Sequence, residues 1–243
     1  MNVQSNNTAT VIDPTKLKSH KNDILYRFNY VRDFLDFNEN DIKAIKLSAT
    51  ILAPLVPQIV DLVYQKLFSF DVTKQIFLQR NEGFTGNIEK NLSSLNLSSD
   101  VIKFRKDMLS KYLVKLVTAD YDEKFVNYLD WVGRIHTNTP LKKSKINVDY
   151  VHVNALFGFV SSALFQIVLD SNLSKKEQDS IVVAFNKLLW IQNDFFVKYY
   201  SKDSVEESVQ QSKLSFKSHS GLLCCVGVGV AAVGVAIGKY LLK

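Results

Sequence analysis

The sequence predicts an all-α protein, and three observations predict it. Only nine Gly and four Pro occur in 243 residues, so long stretches contain no helix breaker. Apolar residues recur at spacings of three and four along most of the chain, the period of an amphipathic helix. No segment alternates apolar and polar residues long enough to propose a strand. With 47% hydrophobic and 12% aromatic residues, the chain also has the material for a packed core.

Residues 1–21 are polar, lack an apolar period and predict a mobile arm. From Asn22 onward, Ile24, Leu25, Phe28, Val31 and Leu35 mark the first amphipathic helix. Asn38 followed by Asp41 reads as an N-cap with an acidic third position, and heads a helix carrying Ile42, Ile45, Leu47 and Ala49. Pro54 and Pro57 fit a helix start, because the first turn tolerates proline. Behind them Val56, Ile59, Val60, Val63 and Leu67 share one face, with Tyr64 beside it. The stretch 81–99, rich in Asn, Ser and Gly, predicts loops and one short helix.

Ser98, Ser99 and Asp100 open a further helix bearing Ile102, Met108, Leu109, Leu113 and Leu116. Asp120 with Glu123 reads as a capping box ahead of Phe125, Leu129, Val132 and His136, and Pro140 stops that helix. Two long helices follow, 148 to about 169 and about 174 to 200, the second opened by a Ser174–Glu177 capping box. The total is about seven or eight helices.

Charge and cysteine usage narrow the function classes. The net charge of +6 comes from scattered lysines, with no basic run interleaved with aromatics, which argues against nucleic-acid binding. A basic balance next to an apolar segment suits an anionic membrane surface. Cys224 and Cys225 are the only cysteines and are adjacent, so the fold does not rest on a disulfide between them, as befits a reducing compartment. Two thiols without neighbouring histidines make no zinc site. No secretory signal is expected, since no apolar run precedes a cleavage site.

Of four histidines, His20 falls in the arm and His219 in a polar linker, whereas His136 and His152 fall on apolar helix faces. Phe125, Leu129, Val132 and His136 follow offsets of four, three and four, so the imidazole points with the buried stripe. Gly133 lacks a side chain where a flat ligand would approach. A neutral imidazole offered from a helix into an apolar cavity is what five-coordinate haem iron needs. On residue type alone, a core histidine satisfied by a backbone carbonyl explains the same pattern. Tyr64 is equally two-sided: a buried phenol satisfied at a helix boundary, or a donor aimed at a ligand. Trp131 and Trp190 are accounted for by packing.

The run Ile59-Val60-Asp61-Leu62-Val63-Tyr64-Gln65-Lys66-Leu67 resembles the helix B signature of protoglobins and globin-coupled sensors. Asp122-Glu123-Lys124-Phe125, continuing to Trp131-Val132-Gly133-Arg134-Ile135-His136, is similar to their helix F, which ends in the proximal histidine. The resemblance covers about residues 22–200 and implies a globin-like domain that binds haem b. It implies His136 as the iron ligand and Tyr64 as the distal donor. Val63 stands where some members have tryptophan, which implies a smaller distal wall. Phe104, Met108 and Leu109 are the candidates for the helix E distal residue, with Val132 and Gly133 lining the proximal side. Thr137-Asn138-Thr139-Pro140 departs from the Arg-Ile-Gly-Leu of many bacterial sensors, which leaves the following loop undefined but does not touch the ligand. The implied ligand is a diatomic gas: O₂, NO or CO.

Past the helical region, 201–220 is polar and reads as a linker. Gly221 to Gly238 is uncharged for 18 residues and is flanked by Lys239 and Lys243, so 221–243 is expected to anchor the chain by its tail, with the globin body at the cytosolic face of a membrane. Five glycines disfavour a water-soluble helix there but are common in membrane helices. Gly234 and Gly238 form a small-xxx-small pair that allows a homodimer, and Cys224 and Cys225 fit palmitoylation. A membrane-tethered gas or redox sensor with a separate signalling partner is the expected function, and an enzyme is disfavoured. The alternatives are a haem enzyme (NO dioxygenase or peroxidase-like) with a separate reductase, or a haem-free tail-anchored adaptor.

Overall fold

The structure is a computed structural model describing residues 9–18, 23–137 and 146–200, and all its regular elements are helical. In chain order they are α1 (Pro14–Lys18), α2 (Ile24–Phe34), α3 (Glu39–Leu52), α4 (Val56–Phe68), α5 (Asp71–Lys74), α6 (Asp100–Thr118), α7 (Glu123–Ile135), α8 (Tyr150–Leu169) and α9 (Lys175–Tyr200). Short 3₁₀ turns at Ala53–Leu55 and Gln75–Leu78 complete the set. The linker 201–220 and the apolar segment 221–243 lie outside the described residues, as does Pro140.

Local chemistry sets most of the helix starts. Asn38 and Asp41 close a reciprocal capping box on α3: the Asn40 amide donates to Asn38 Oδ1 at 2.9 Å and the Asn38 amide to Asp41 Oδ2 at 2.9 Å. The Ser174–Glu177 box heads α9 in the same way, at 2.8 Å and 3.4 Å. Pro57 sits in the first turn of α4, where its missing N–H costs nothing.

Three expectations need correction. The cap of α7 is Asp122, whose carboxylate accepts from the Phe125 amide at 2.9 Å, while Asp120 instead pairs with Lys46 at 2.7 Å. The stretch 81–99 contains no helix, because Asn91 and Asn96 fold back onto the amides of Ser94 and Ser98 at 3.0 and 2.9 Å and so stabilise turns. The described part of the arm holds a helical turn: Asp13 caps α1, the Asp13 amide donates to Tyr26 Oη at 2.8 Å, and Arg27 donates to the Leu17 carbonyl.

Helix α9 is the spine. Ile181, Ala184, Phe185, Leu188, Ile191 and Phe195 are almost fully buried along it, and α3, α7 and α8 pack against it while α4 packs on α6. Two polar ties fix the angles. Arg27 of α2 grips Asp194 in a bidentate fork at 2.6 and 2.7 Å. Lys198, only 1% exposed, reaches Asp130 of α7 at 2.8 Å, and the Tyr199 hydroxyl donates to the same carboxylate. Where α7 crosses α9 the backbones approach so closely that a β-carbon on Gly133 would sit 2.5 Å from the Phe195 carbonyl oxygen.

Candidate functional site

Between these helices lies one predominantly apolar cavity of about 260 Å³. One part of its wall comes from α4, α6 and the connection between them: Ile59, Val63, Tyr64, Phe77, Arg105, Met108 and Leu109. The remainder comes from α7, α8 and α9 and includes Val132, Ile135, His136, His152, Phe157 and Phe196. The volume is roughly ten times the ~30 Å³ share of a liquid water, so the cavity has room for an organic group.

His136 stands just past the end of α7, as its C-cap residue, with φ −88° and ψ −10°. Its Nδ1 lies 2.7 Å from the Val132 carbonyl oxygen, one turn back. A carbonyl only accepts, so Nδ1 carries a proton directed at Val132. The imidazole centroid is 5.1 Å from the Phe196 ring, and the His136 carbonyl accepts from the Val148 amide at 2.9 Å, which fastens the helix end to the approach to α8. The two readings that residue type left open thus coincide in one geometry: the bond to a carbonyl that satisfies a core histidine also orients a ligand histidine. His152 lines the same cavity, yet no hydrogen bond fixes its ring among the described residues.

Tyr64, on α4, is 5% exposed and packs on Phe77 with centroids 5.6 Å apart. No group among the described residues accepts its hydroxyl hydrogen. Burial pushes the phenol well above its ordinary pKa, with Arg105 nearby opposing the shift, so it stays a neutral donor. Val63, Met108, Leu109 and Val132 also line the cavity.

Phe104 and Gly133 do not belong to this wall. Phe104 packs instead against Phe84 of the 81–99 connection, with ring centroids 5.3 Å apart and planes tilted by 47°. Gly133 is small so that α7 can approach α9, and the close neighbour of its absent side chain is Phe195 backbone, not a cavity ligand. Arg105, Asn81 and Tyr112 are cavity residues that the sequence reading missed. Arg105 was discoverable: it lies four residues from Val101 and four from Leu109, on the buried stripe of α6.

The residues present fit haem. The lining is mainly apolar and aromatic, an imidazole is held there by its Nδ1, and a neutral phenol stands in the same space. Among the described residues no group of three or more His, Cys, Asp or Glu side chains converges, so a metal here needs most of its ligands from a carrier such as a porphyrin.

The protoglobin family model matches residues 25–206, well over half the chain. None of the curated proteins matches. Among solved structures, the fold is similar to the globin domain of a globin-coupled sensor from Geobacter sulfurreducens, with a TM-score of 0.55 and 17% identity, covering 72% of this chain and 97% of that one. The family match over residues 25–206 spans the helices that build this cavity, and this chain belongs to the protoglobin family.

Proposed function

We propose that this chain is a haem b globin that holds its cofactor in the cavity through His136, reversibly takes up a diatomic gas (O₂, NO or CO), and acts as a membrane-tethered gas or redox sensor. The observation that carries this reading is the meeting, in one apolar cavity, of an imidazole whose Nδ1 is committed to Val132 with a phenol whose hydroxyl finds no acceptor among the described residues. Bound haem would supply an iron centre with affinity for such gases. The Val132 carbonyl sets the tautomer and rotation of His136, Phe196 limits its tilt, and the aliphatic lining keeps water out. Tyr64 holds a proton on its hydroxyl for the gas to accept.

Tyr64→Phe should therefore speed O₂ release from the haem-loaded chain by roughly 2- to 13-fold, the loss of one hydrogen bond of about 0.5–1.5 kcal/mol. CO release should respond less, since CO accepts hydrogen bonds weakly. Flash photolysis and stopped-flow mixing measure both rates. Equal acceleration of the two gases would reduce Tyr64 to packing, and a spectrum indifferent to every gas would contradict gas binding.

The sensor role is supported by the likeness to the globin domain of a protein described as a globin-coupled sensor, and by a tail suited to fixing location. The tether is 221–243, following a 201–220 linker, and its 18 uncharged residues would span about 27 Å as a helix, against a hydrocarbon core of roughly 30 Å. A fluorescent fusion of residues 201–243 should sediment with membranes and resist carbonate extraction. Ala231→Arg, mid-segment, should release it, at a cost of about 2.5–3.5 kcal/mol for a central charge. A soluble parent fusion would remove the tether. A homodimer is supported by apolar side chains left open on α8 and α9, Val151 at 66%, Val183 at 52% and Trp190 at 56% exposure.

A further inference from the structure

One end of the cavity is polar in a way that gas binding does not use. Arg105 of α6 is 8% exposed, and no carboxylate pairs with it among the described residues. One guanidinium nitrogen donates to the Gln79 carbonyl at 2.9 Å, and the guanidinium carbon lies over Phe77, 4.8 Å from the ring centroid. Its Nε is fully buried without a partner. Asn81 Oδ1, which lines the same cavity, is likewise buried without one, and Tyr64 reaches this end across the shared Phe77 ring.

A buried cation without a counter-charge is costly, and a buried N–H donor without an acceptor adds to that cost. Burial accordingly lowers the guanidinium pKa to about 10, which leaves it charged at neutral pH. The missing partner must bring negative charge, must be small because Phe77, Tyr64 and Met108 crowd this end, and must accept from N–H and O–H groups. The Asn81 carboxamide can turn to offer its NH₂ to the same partner.

We propose that Arg105, with Asn81 and Tyr64, makes this end of the cavity a receptor for a small monoanionic group. The charge arrives either as a free anion of azide or nitrite size or as a carboxylate carried by the haem. The location rests on the haem reading above, whereas the anion chemistry rests on Arg105 and Asn81 alone.

The first arm uses the full chain without haem, so that it does not depend on the haem reading. Sodium azide at about ten times its dissociation constant should raise the melting temperature of the wild type by roughly 3 °C or more, and should leave Arg105→Met unmoved. Arg105→Met itself should fold, because an apolar side chain of similar length replaces an unpaired buried charge. Arg105→Lys, which keeps the charge, should keep part of the response.

The second arm uses the chain loaded with ferric haem and separates the sources. A free-anion site predicts azide affinity, read as a Soret shift, weakened about 10- to 100-fold in Arg105→Met, as loss of a charge-assisted hydrogen bond implies. Haem release would then stay at the wild-type rate. A haem-carboxylate site predicts unchanged azide affinity but faster haem transfer to apomyoglobin, both in Arg105→Met and in wild type loaded with haem dimethyl ester. If Arg105→Met matches the wild type in melting response, azide affinity and haem release, the proposal is overturned. A chain that takes up no haem but shows the Arg105-dependent melting shift refutes the haem reading and leaves the anion site standing.

Discussion

Replacing His136 with alanine is expected to strip the chain of most of its haem. Among the described residues, His136 is the imidazole in the cavity whose ring is held by a hydrogen bond, its Nδ1 tied to Val132 at 2.7 Å, and the rest of the lining offers mainly apolar contact. Haem affinity should fall at least about 100-fold, beyond the 10–100-fold typical of losing a partner that merely orients a ligand. His152→Ala is the control. Its ring borders the same cavity but is not oriented by a hydrogen bond, so haem should stay bound with its spectrum little changed. Free imidazole added to His136→Gly should restore a six- or five-coordinate spectrum, because the lost group is then resupplied without the backbone link. Should His152→Ala lose the haem and His136→Ala keep it, the ligand assignment is reversed.

The second large effect is structural. Gly133→Ala places a β-carbon 2.5 Å from the Phe195 carbonyl oxygen and 2.9 Å from its carbon, both backbone atoms that cannot rotate away. Helices α7 and α9 must separate, and overpacking of this kind costs about 3 kcal/mol. The better helix propensity of alanine returns roughly 1 kcal/mol. The net loss of about 2 kcal/mol should lower the melting temperature by roughly 4–8 °C for a domain of this size. Because His136 follows α7 directly, the same displacement should loosen haem binding. Gly158→Ala, in α8, is the matched control: nothing lies within 4 Å of its added carbon, so it should be neutral or slightly stabilising. Equal melting temperatures for the two variants would mean that α7 and α9 do not meet as described.

The contrast between these glycines shows what the sequence could and could not convey. Period and caps located the helices: Asn38–Asp41 and Ser174–Glu177 act within four residues, so their chemistry is written locally. His136 and Tyr64 stood out because helical spacing put them beside apolar stripes and two motifs resembled a known family, and both line the cavity. Gly133 was misread because it sits on the same turn as His136, and the face it serves is decided by α9, 62 residues further on. Phe104 was expected at the distal wall but packs on Phe84 of the 81–99 connection, while Arg105, which the sequence reading passed over, is buried on α6. Asp120 was drawn away from capping by Lys46 on α3, a partner 74 residues distant.

The central claim is that this cavity takes one haem per chain with His136 as its ligand, and an absorption titration tests it most directly. Haem added to the purified full chain should produce a Soret band that grows linearly and breaks at one equivalent, and the band of His136→Ala should be weaker or displaced. A chain that shows only the broad absorption of free haem, with no break at one equivalent, would contradict the account and leave a globin fold that works without its cofactor.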